Sequence, residues 1–416
     1  MNFGFHYSLP NIIKVIGVGG AGCNAVNHMF RMGVHEVDFV VCNTDIQSLG
    51  TSPVPLKVEL GASLNGGRGA GNMPELGEQS AIESMDALKQ ILEDSTRMLF
   101  ITAGMGGGTG TGATPVIAKL AKDLGILTIA VVTLPSPVEG KRRYNQALEG
   151  VEKLRTAVDS ILVIRNEKLH TVYGDLTASQ AFSKADDVLA TTVKGIAELI
   201  TLNGNINIDF SDVYTVMKRS GTFIMGTGYA EGEGRAVKAA KMAIEFPLLE
   251  NNDLTGAKNI LINIISGEDE VKMAEIGIIL EFMQQSAGME ADIIWGNSID
   301  KNLGKKICIA ILATGFKKDQ FSSPSKKEVI KETMTDTLGL IKKDDHLILQ
   351  EEKPNRDREA DEEVIFEIDR PTSENKASQY NSEQYNKQHK DNKAESLTDN
   401  WFLRQFNTLF EENETE

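Results

Sequence analysis

Six of the nine residues from Gly104 to Gly112 are glycine, in the stretch AGMGGGTGTGATP, with Thr109 and Thr111 between them. Glycine loses more backbone freedom on folding than any other residue, so a run this dense indicates tight turns or close approach to another group. The run follows an apolar, strand-like segment and precedes a helical pattern. At such a junction backbone N–H groups can point at an anion bound at the helix N-terminus. The stretch therefore predicts an anion-binding loop.

Two further glycine-rich segments support this interpretation. GVGGAG, residues 17–22, fits the G-x-G-x-x-G pattern between a predicted strand and a predicted helix, which alone is a weak signal. GGRGAGNMPE, residues 66–75, is a third loop that would close over a terminal phosphate. Because loops of this kind meet at the carboxyl edge of a parallel sheet, we predict that the ligand is a nucleotide polyphosphate. Tight strand–helix turns without any ligand are the alternative.

The two loops at 17–22 and 104–112 contain neither Lys nor Arg, and the chain has no G-x-x-x-x-G-K-[ST] sequence. An ordinary P-loop enzyme is therefore excluded. We predict that backbone dipoles and an added cation, Mg²⁺, neutralise the phosphates, without a metal site built from protein side chains.

The fold class predicted is α/β. Between residues 11 and 177, apolar runs such as IIKVIG, MLFITA and ILTIAVVTLP alternate with helical patterns, among them 22–32 and 138–159. Continuous hydrophobicity is typical of strands buried on both faces. The alternation predicts a doubly wound parallel-sheet nucleotide-binding domain over 11–177.

The next part of the chain has a different pattern. Residues 178–203 are predicted to form a long central helix, because apolar residues recur there at steps of three and four. Residues 204–220 hold a loop and the helix that follows it. Residues 221–316 contain three strand-like runs and two helical patterns, which predict a second, smaller α+β domain.

The two ends of the chain lack this periodicity. Residues 1–10 are predicted to be an N-terminal extension and 317–396 a disordered C-terminal acidic linker, since the latter is polar and low in complexity. Aromatic residues return in DNWFLRQFNTLF, and we predict that 397–416 is a docking peptide that folds on a partner. A stray amphipathic turn is the alternative.

Charge and hydropathy limit the class of protein. With 59 Asp and Glu against 43 Lys and Arg, the formal charge is −16, which argues against binding to nucleic acid. No export signal and no apolar run of membrane-spanning length is found in the sequence, so direct membrane insertion is not expected. The three cysteines have no paired or metal-ligand spacing, which is typical of a reducing compartment. We expect a soluble intracellular protein.

A dinucleotide-binding oxidoreductase also fits the first loop. Asp45 follows Gly22 by a spacing near that of the acid that binds the ribose of NAD. The second glycine loop argues against this alternative, because it suits another phosphate better than a substrate pocket.

Five motifs together carry a family resemblance. GVGGAGCNA, NTD, GAGNMPE, GMGGGTGTG and NIDFSD, in this order, closely resemble the FtsZ family of bacterial tubulin homologues over residues 12–316. The resemblance implies a GTPase that converts GTP to GDP and phosphate with Mg²⁺. It also implies that copies of the chain polymerise head to tail into filaments of the cytokinetic ring.

The resemblance assigns nucleotide contacts to specific residues. Those at the ribose and phosphates would be Gly19, Gly20, Ala21, Gly22, Cys23, Asn24, Asp45, Ala70, Gly71, Asn72, Gly106, Gly107, Gly108, Thr109, Gly110, Glu139 and Arg143. Phe182 would stack on guanine, and Asp186 would accept hydrogen bonds from its N1 and N2 hydrogens. A carboxylate suits these two donors, whereas adenine has an acceptor at N1. Phe182 also lies on the apolar stripe of its helix, so core packing is an alternative for it, and a surface ion pair is an alternative for Glu139 and Arg143.

The resemblance also implies catalytic roles for residues of NIDFSD, 207–212. Asp209 and Asp212, assisted by Asn207, would polarise the attacking water at the nucleotide of the adjoining subunit, so that hydrolysis requires assembly. Two carboxylates three residues apart at a helix start are also a common N-terminal cap, which is the alternative. A filament subunit that binds GTP without hydrolysing it also remains open.

The family also implies partners and a location. Family members dock membrane-tethering division proteins through a C-terminal peptide, and WFLRQFNTLF keeps a Phe-Leu-Arg core without the usual acidic-proline lead-in. The chain would then lie in the cytoplasm, at the midcell division ring beneath the inner membrane.

Overall fold

The glycine-rich loops follow strands of a parallel sheet, as the sequence predicts. The structure, a computed structural model, describes residues 11–316 apart from residues 35, 94, 202–203 and 246–252. The predicted N-terminal extension, acidic linker and docking peptide lie outside the described residues.

The strands, in chain order, are β1 (Ile13–Val18), β2 (Val37–Asn43), β3 (Leu56–Glu59), β4 (Met98–Gly104), β5 (Leu127–Leu134), β6 (Ser160–Arg165), β7 (Gly204–Ile206), β8 (Gly221–Thr222), β9 (Ile224–Ala230), β10 (Asn259–Ser266), β11 (Asp292–Ile299) and β12 (Ile307–Thr314).

The α-helices are α1 (Gly19–Arg31), α2 (Ile46–Thr51), α3 (Ala62–Asn65), α4 (Pro74–Glu83), α5 (Met85–Glu93), α6 (Thr109–Asp123), α7 (Lys141–Ala157), α8 (Glu167–Val172), α9 (Ala178–Thr201), α10 (Phe210–Met217), α11 (Arg235–Ile244) and α12 (Met273–Ala287), and Pro137–Glu139 and Lys301–Leu303 form short 3₁₀ turns.

The first sheet has the strand order β3-β2-β1-β4-β5-β6-β8, and its neighbouring strands are parallel. Every residue of β1 is buried, which confirms the prediction that continuous apolar runs form strands covered on both faces. The order reverses direction between β1 and β4. In open α/β sheets, ligands bind outside the carboxyl ends of the strands at such a reversal.

The second sheet has the order β7-β11-β10-β12-β9, with β10 and β11 parallel and the other pairs antiparallel. Together with α11 and α12 it confirms the prediction of a second, smaller α+β unit. The sequence missed β9, because Gly226 and Gly228 interrupt its apolar pattern. Both glycines lie directly under α11, where a Cβ would collide with the carbonyl oxygens of Ala243 and Ala239.

Two predicted helices differ from the structure at their starts. The first helix begins at Gly19 rather than residue 22, because the chain turns into it at Gly19 with φ 72°. The predicted helix over 138–159 is divided at Gly140, whose φ of 121° separates a 3₁₀ turn from α7. The central helix is confirmed as α9, while the domain boundaries themselves stay predictions.

Among the described residues, none of the helices has both the length and the hydrophobicity that crossing a bilayer requires.

Candidate nucleotide-binding site

A cavity of about 550 Å³ lies at the carboxyl ends of β1, β4 and β5. It is lined by Gly19, Gly20, Ala21, Asn24, Gly104, Met105, Gly107, Gly108, Thr109, Gly110, Thr133, Pro135, Glu139, Arg143, Asn166, Phe182, Ala185 and Asp186. The cavity is where the reversal of strand order between β1 and β4 predicts a ligand. At this reversal the glycine loops at 17–22 and 104–112 meet at one site.

The two loops approach so closely that only glycine fits between them. A Cβ added to Gly19 would lie 2.9 Å from the backbone nitrogen of Gly110, and one added to Gly104 would lie 2.6 Å from the Cβ of Ala21. The density of glycine in the sequence therefore has a steric cause, and the surface that the loops present to the cavity is mostly main chain.

Two threonines brace the second loop. The Thr109 hydroxyl is hydrogen-bonded to the hydroxyl of Thr44 at 2.6 Å, which ties the start of α6 to the end of β2. The N–H of Gly106 donates to the Thr111 hydroxyl at 2.8 Å, and this bond turns Gly106, at φ 96°, toward α6. Gly106 is a predicted site residue, and it does not line the cavity.

The segment 70–73 lies against the second loop from outside. A Cβ on Gly108 would be 2.9 Å from both the Cβ of Ala70 and the backbone nitrogen of Met73. Ala70 is buried, whereas Gly71 and Asn72 are exposed, both with positive φ. These predicted residues border the loop that lines the cavity, while the cavity walls themselves do not include them.

Phe182 and Asp186 enter the cavity from the first turns of α9. Half of Phe182 is exposed, at 50%, so core packing does not account for the position of its ring. Burial raises the pKa of the Asp186 carboxyl to about 6, while His28 opposes this increase and Asp187 adds to it. His28 Nε2 lies 2.7 Å from Asp187 Oδ1, which joins α1 to α9 beside the cavity.

Asn166 is a cavity residue that the sequence analysis missed. Its Oδ1 is buried and has no hydrogen-bond partner, although its backbone N–H donates to Leu134 O at 2.9 Å. An unpaired acceptor in this position fits a ligand that brings an N–H or O–H donor. Asn166 directly follows β6, so its position at a strand's carboxyl end was the available signal.

The other cavity residues missed from the sequence are Gly104, Met105, Thr133, Pro135 and Ala185.

Glu139 and Arg143 form the charged edge of the cavity. Their side chains are 3.4 Å apart, and Glu139 also accepts from the backbone N–H of Ser136 at 3.0 Å. Half of the Arg143 side chain is exposed, so this ion pair contributes little stability. A bound anion can therefore recruit the guanidinium at small cost.

Three predicted contacts have clear structural roles away from the cavity. A Cβ on Gly22 would collide with the carbonyl oxygen of Thr102, so Gly22 allows α1 to pack on β4. The Cys23 side chain is buried, and burial raises its pKa to about 12. Asp45 caps α2 by accepting from Gln47 N at 2.9 Å and Ser48 N at 3.3 Å. The acid required by the NAD alternative is therefore engaged as a helix cap.

The two predicted catalytic carboxylates lie outside this cavity. Asp209 Oδ1 accepts from the N–H of Asp212 at 2.9 Å, and Asp212 Oδ2 accepts from the N–H of Asp209 at 3.0 Å. This reciprocal cap opens α10 and occupies one oxygen of each carboxylate, so the capping alternative holds structurally. Asn207 and Asp209 are exposed.

The acid pair lies at the other end of α9 from the cavity. Phe182 and Asp186 are in the first turns of this 24-residue helix, and the acids follow its last turn. At 1.5 Å per residue the helix is roughly 36 Å long. At the end of α10, Lys218 Nζ is 3.4 Å from Asp159 Oδ2, and the carbonyl of Met217 accepts from Ser160 Oγ at 2.6 Å. Both contacts are at the amino end of β6, opposite the cavity.

A nucleotide fits the cavity better than a metal cofactor held by side chains. The main-chain cradle and the unpaired Asn166 acceptor suit phosphates and a polar base. Within the described ranges, no cluster of three or more His, Cys, Asp or Glu could hold a metal ion.

Comparison with known proteins agrees with these features. The model of the Tubulin/FtsZ family GTPase domain matches residues 12–174, and that of the FtsZ family C-terminal domain matches residues 221–317. The chain is 48% identical to the cell division protein FtsZ of Porphyromonas gingivalis over 77% of this chain and 70% of the relative. It is 47% identical to that of Azotobacter vinelandii over 73% and 77%.

A solved structure of FtsZ from M. jannaschii, an empty dimer, is 40% identical with a TM-score of 0.67, covering 74% of this chain and 89% of the other. From its motifs, its two sheets and these matches, the chain belongs to the FtsZ family of tubulin-like GTPases.

Proposed function

We propose that this chain binds GTP, assembles head to tail into filaments and hydrolyses GTP at sites shared between adjacent subunits. The filaments would form the cytokinetic ring of a dividing bacterium. The observation that carries this proposal is the separation of the cavity from the acid pair by the length of α9.

Binding of the phosphates rests on the main chain. The N-termini of α1 and α6 meet at the cavity, and their N–H groups and helix dipoles favour an anion there. Since these loops contain no cation, a Mg²⁺ bound to the phosphates would neutralise their charge and stabilise the charge that develops on hydrolysis. Glu139 and Arg143 would lie at the ribose and phosphate edge. The 70–73 segment would respond to the γ-phosphate through its close approach to Gly108.

Selection of the base rests on Phe182, Asp186 and Asn166. The half-exposed Phe182 ring offers a stacking surface, and the ionised Asp186 would accept from the N1 and N2 hydrogens of guanine. Adenine would place an acceptor against the same carboxylate, which disfavours it. Asn166 Oδ1 offers one more acceptor to the bound nucleoside.

Hydrolysis needs a water-activating group, and the two glycine loops at 17–22 and 104–112 contain no carboxylate. Asp209 and Asp212 each keep one carboxylate oxygen outside their mutual cap. Placed over the γ-phosphate of the next subunit, they would orient the water and take its proton as it attacks phosphorus and the bond to the β-phosphate oxygen breaks. Asn207 would assist in holding the water.

Assembly follows from where these two parts lie. One end of the subunit has the cavity and the other has the acids, so the contact that completes a site joins unlike surfaces. Repetition of such a heterologous contact gives an open filament. The FtsZ dimer from M. jannaschii supports self-association in the family.

The same proposal includes the place of the filament in the cell and its attachment to the membrane. The filament would lie in the cytoplasm at midcell beneath the inner membrane. Residues 397–416 would dock membrane-tethering division proteins, and the acidic linker 317–396 would connect them to the folded part.

Phosphate release, measured with light scattering over a series of protein concentrations, tests the proposal. With GTP, turnover per subunit should rise with concentration as scattering appears, because each active site needs two subunits. ATP should support neither signal. Turnover per subunit that is independent of concentration, or equal rates with ATP, would contradict the proposed function.

A further inference from the structure

Gln146, on α7, makes two hydrogen bonds to the glycine loop that nucleotide binding alone does not explain. Its Nε2 donates to Gly106 O and to Gly107 O, each at 3.1 Å. Carbonyl oxygens only accept hydrogen bonds, so the amide nitrogen is the end of the carboxamide that must face them. Gln146 does not line the nucleotide cavity. It lines a separate cleft of about 770 Å³ between α4, α6 and α7.

These bonds fix the direction of the following N–H groups. In a trans peptide unit the C=O and N–H point in opposite directions, and the described chain has no cis peptide bonds. The carbonyls of Gly106 and Gly107 point toward α7. The N–H groups of Gly107 and Gly108, which share those peptide units, therefore point away from α7. Gly107 and Gly108 both line the nucleotide cavity on that side.

Two further contacts keep the loop in this orientation. The N–H of Gly106 is already engaged by the Thr111 hydroxyl at 2.8 Å, so it does not compete for the ligand. A Cβ on Gly106 would lie 2.8 Å from the carbonyl oxygen of Arg143, which means that the loop is pressed directly onto α7. Without Gln146, nothing in these contacts holds the two carbonyls.

We propose that Gln146 is a positioning residue for phosphate binding. By holding two successive carbonyls, it aims the next two backbone N–H groups together into the cavity, and paired N–H groups of this kind form an anion-binding concavity. This inference rests on the proposed function, because it concerns how the polyphosphate of GTP or GDP is held. A simple tether between α7 and the loop would stabilise the fold without favouring phosphate.

The test compares ligands that do and do not carry phosphates. Gln146→Leu removes the donor with little change in size, and Gln146→Glu replaces it with an acceptor that repels the carbonyls. Dissociation constants for GTP and GDP are measured by calorimetry, and that of guanosine by NMR titration at millimolar concentration. Asn145→Leu, at a neighbouring half-buried position on the same cleft, is the matched control.

We expect both Gln146 variants to bind GTP and GDP about tenfold more weakly, as the loss of two modest hydrogen bonds predicts, and to bind guanosine as the wild type does. Asn145→Leu should bind all three ligands normally. Thermal unfolding checks the fold, and Gln146→Ala replaces any variant that fails to fold.

Unchanged affinities for GTP and GDP in the folded variants would overturn the inference, as would an equal loss for guanosine. If the wild type itself does not bind GTP, the proposed function fails instead, so the two failures are distinguishable.

Discussion

The nucleotide cavity and the acid pair after α9, Asp209 and Asp212, differ in the chemical groups that they present: mainly backbone amides at the glycine loops of the cavity, and side-chain carboxylates at the acid pair. The part of the cavity that would hold the phosphates is formed by two glycine loops that approach so closely that a Cβ on Gly19 or Gly104 would clash, and Arg143 is a charged side chain at the cavity edge. The acid pair consists of two exposed or half-exposed carboxylates, each of which uses one oxygen to hold the other's backbone N–H.

The difference in composition determines which part of the reaction each region can support. Main-chain N–H groups bind phosphate without providing a base, whereas the carboxylates provide a base and would repel phosphate by charge. Under the proposed function, keeping them at opposite ends of α9 would let each subunit bind nucleotide and would leave hydrolysis to the contact between subunits.

The largest effect is expected on GTP turnover when the acid pair is changed. Asp212→Asn should lower GTP turnover by about 10²- to 10⁴-fold, the range for loss of a positioned base, because the amide cannot take the proton from water. GTP affinity should be unchanged, since the cavity is a helix length away. Phosphate release and equilibrium binding measure the two quantities. A parallel loss of binding would show that the two ends are not independent.

Controls separate catalysis from capping. Asn keeps an acceptor oxygen for the N–H of Asp209, so Asp212→Asn should unfold at the wild-type temperature. Asp212→Ala removes the acceptor of the Asp209 N–H and should in addition lose about 0.5–1.5 kcal/mol of stability, the net contribution of one hydrogen bond. Asp300→Asn, at the cap of the 3₁₀ turn Lys301–Leu303, should leave turnover unchanged.

A moderate effect of pH is expected on guanosine affinity, through Asp186 at the part of the cavity that would hold the guanine. Because burial raises the pKa of Asp186 to about 6, the carboxyl is ionised at pH 7.5 and becomes protonated as the pH falls through 6. The protonated form cannot accept from both guanine hydrogens. Affinity for guanosine, which lacks the titrating phosphates, should be constant above about pH 7 and decrease below pH 6, by at most about tenfold per pH unit.

NMR titrations of guanosine at several pH values measure this dependence. Asp186→Asn should show a flat profile. A wild-type affinity that does not change between pH 7.5 and 5 would mean that the carboxylate does not contact the base.

The smallest effect concerns Cys23, which by sequence belongs to the first glycine loop. Its thiol is buried against the sheet, donates weakly to Gly17 O and Cys42 O, and has its pKa raised to about 12. At pH 8 the thiolate fraction is about 10⁻⁴, so iodoacetamide should modify Cys23 only when the fold opens. Peptide mass spectrometry measures the rate, which GDP should slow further. Rapid labelling of the folded protein would place this side chain in the cavity after all.

Much of the fold was accessible from the sequence because its signals are local. The buried runs of β1, β4 and β5 are continuous, and the stripe of α9 has a helical period over its whole length. Strand β9 was missed because its glycines serve a packing requirement set by α11, which is distant in sequence.

The site was predicted less completely, for a related reason. Motifs identified the loops, but not which atoms of a loop face the ligand: Gly22 faces Thr102, and Asp45 faces the N-terminus of α2. Asn166 has no glycine-rich motif around it. It joins the cavity because β6 lies beside β5 in the sheet, which only the strand order reveals.

The most direct measurement is subunit complementation between the two ends. Asp212→Asn keeps the GTP cavity and lacks the base. Asp186→Asn keeps the acid pair. Its cavity should accept xanthosine triphosphate in place of GTP, because the side-chain amide of this variant can donate to the oxygen that xanthine carries where guanine has an amino group. Neither variant alone should hydrolyse GTP.

In a one-to-one mixture with both nucleotides, about a quarter of random head-to-tail contacts join a GTP cavity to an intact acid pair. We therefore predict that the mixture recovers about a quarter of wild-type GTP turnover. If both chains sediment in one polymer and GTP turnover of the mixture is only the sum of the turnovers of the two variants measured separately, the shared site is contradicted.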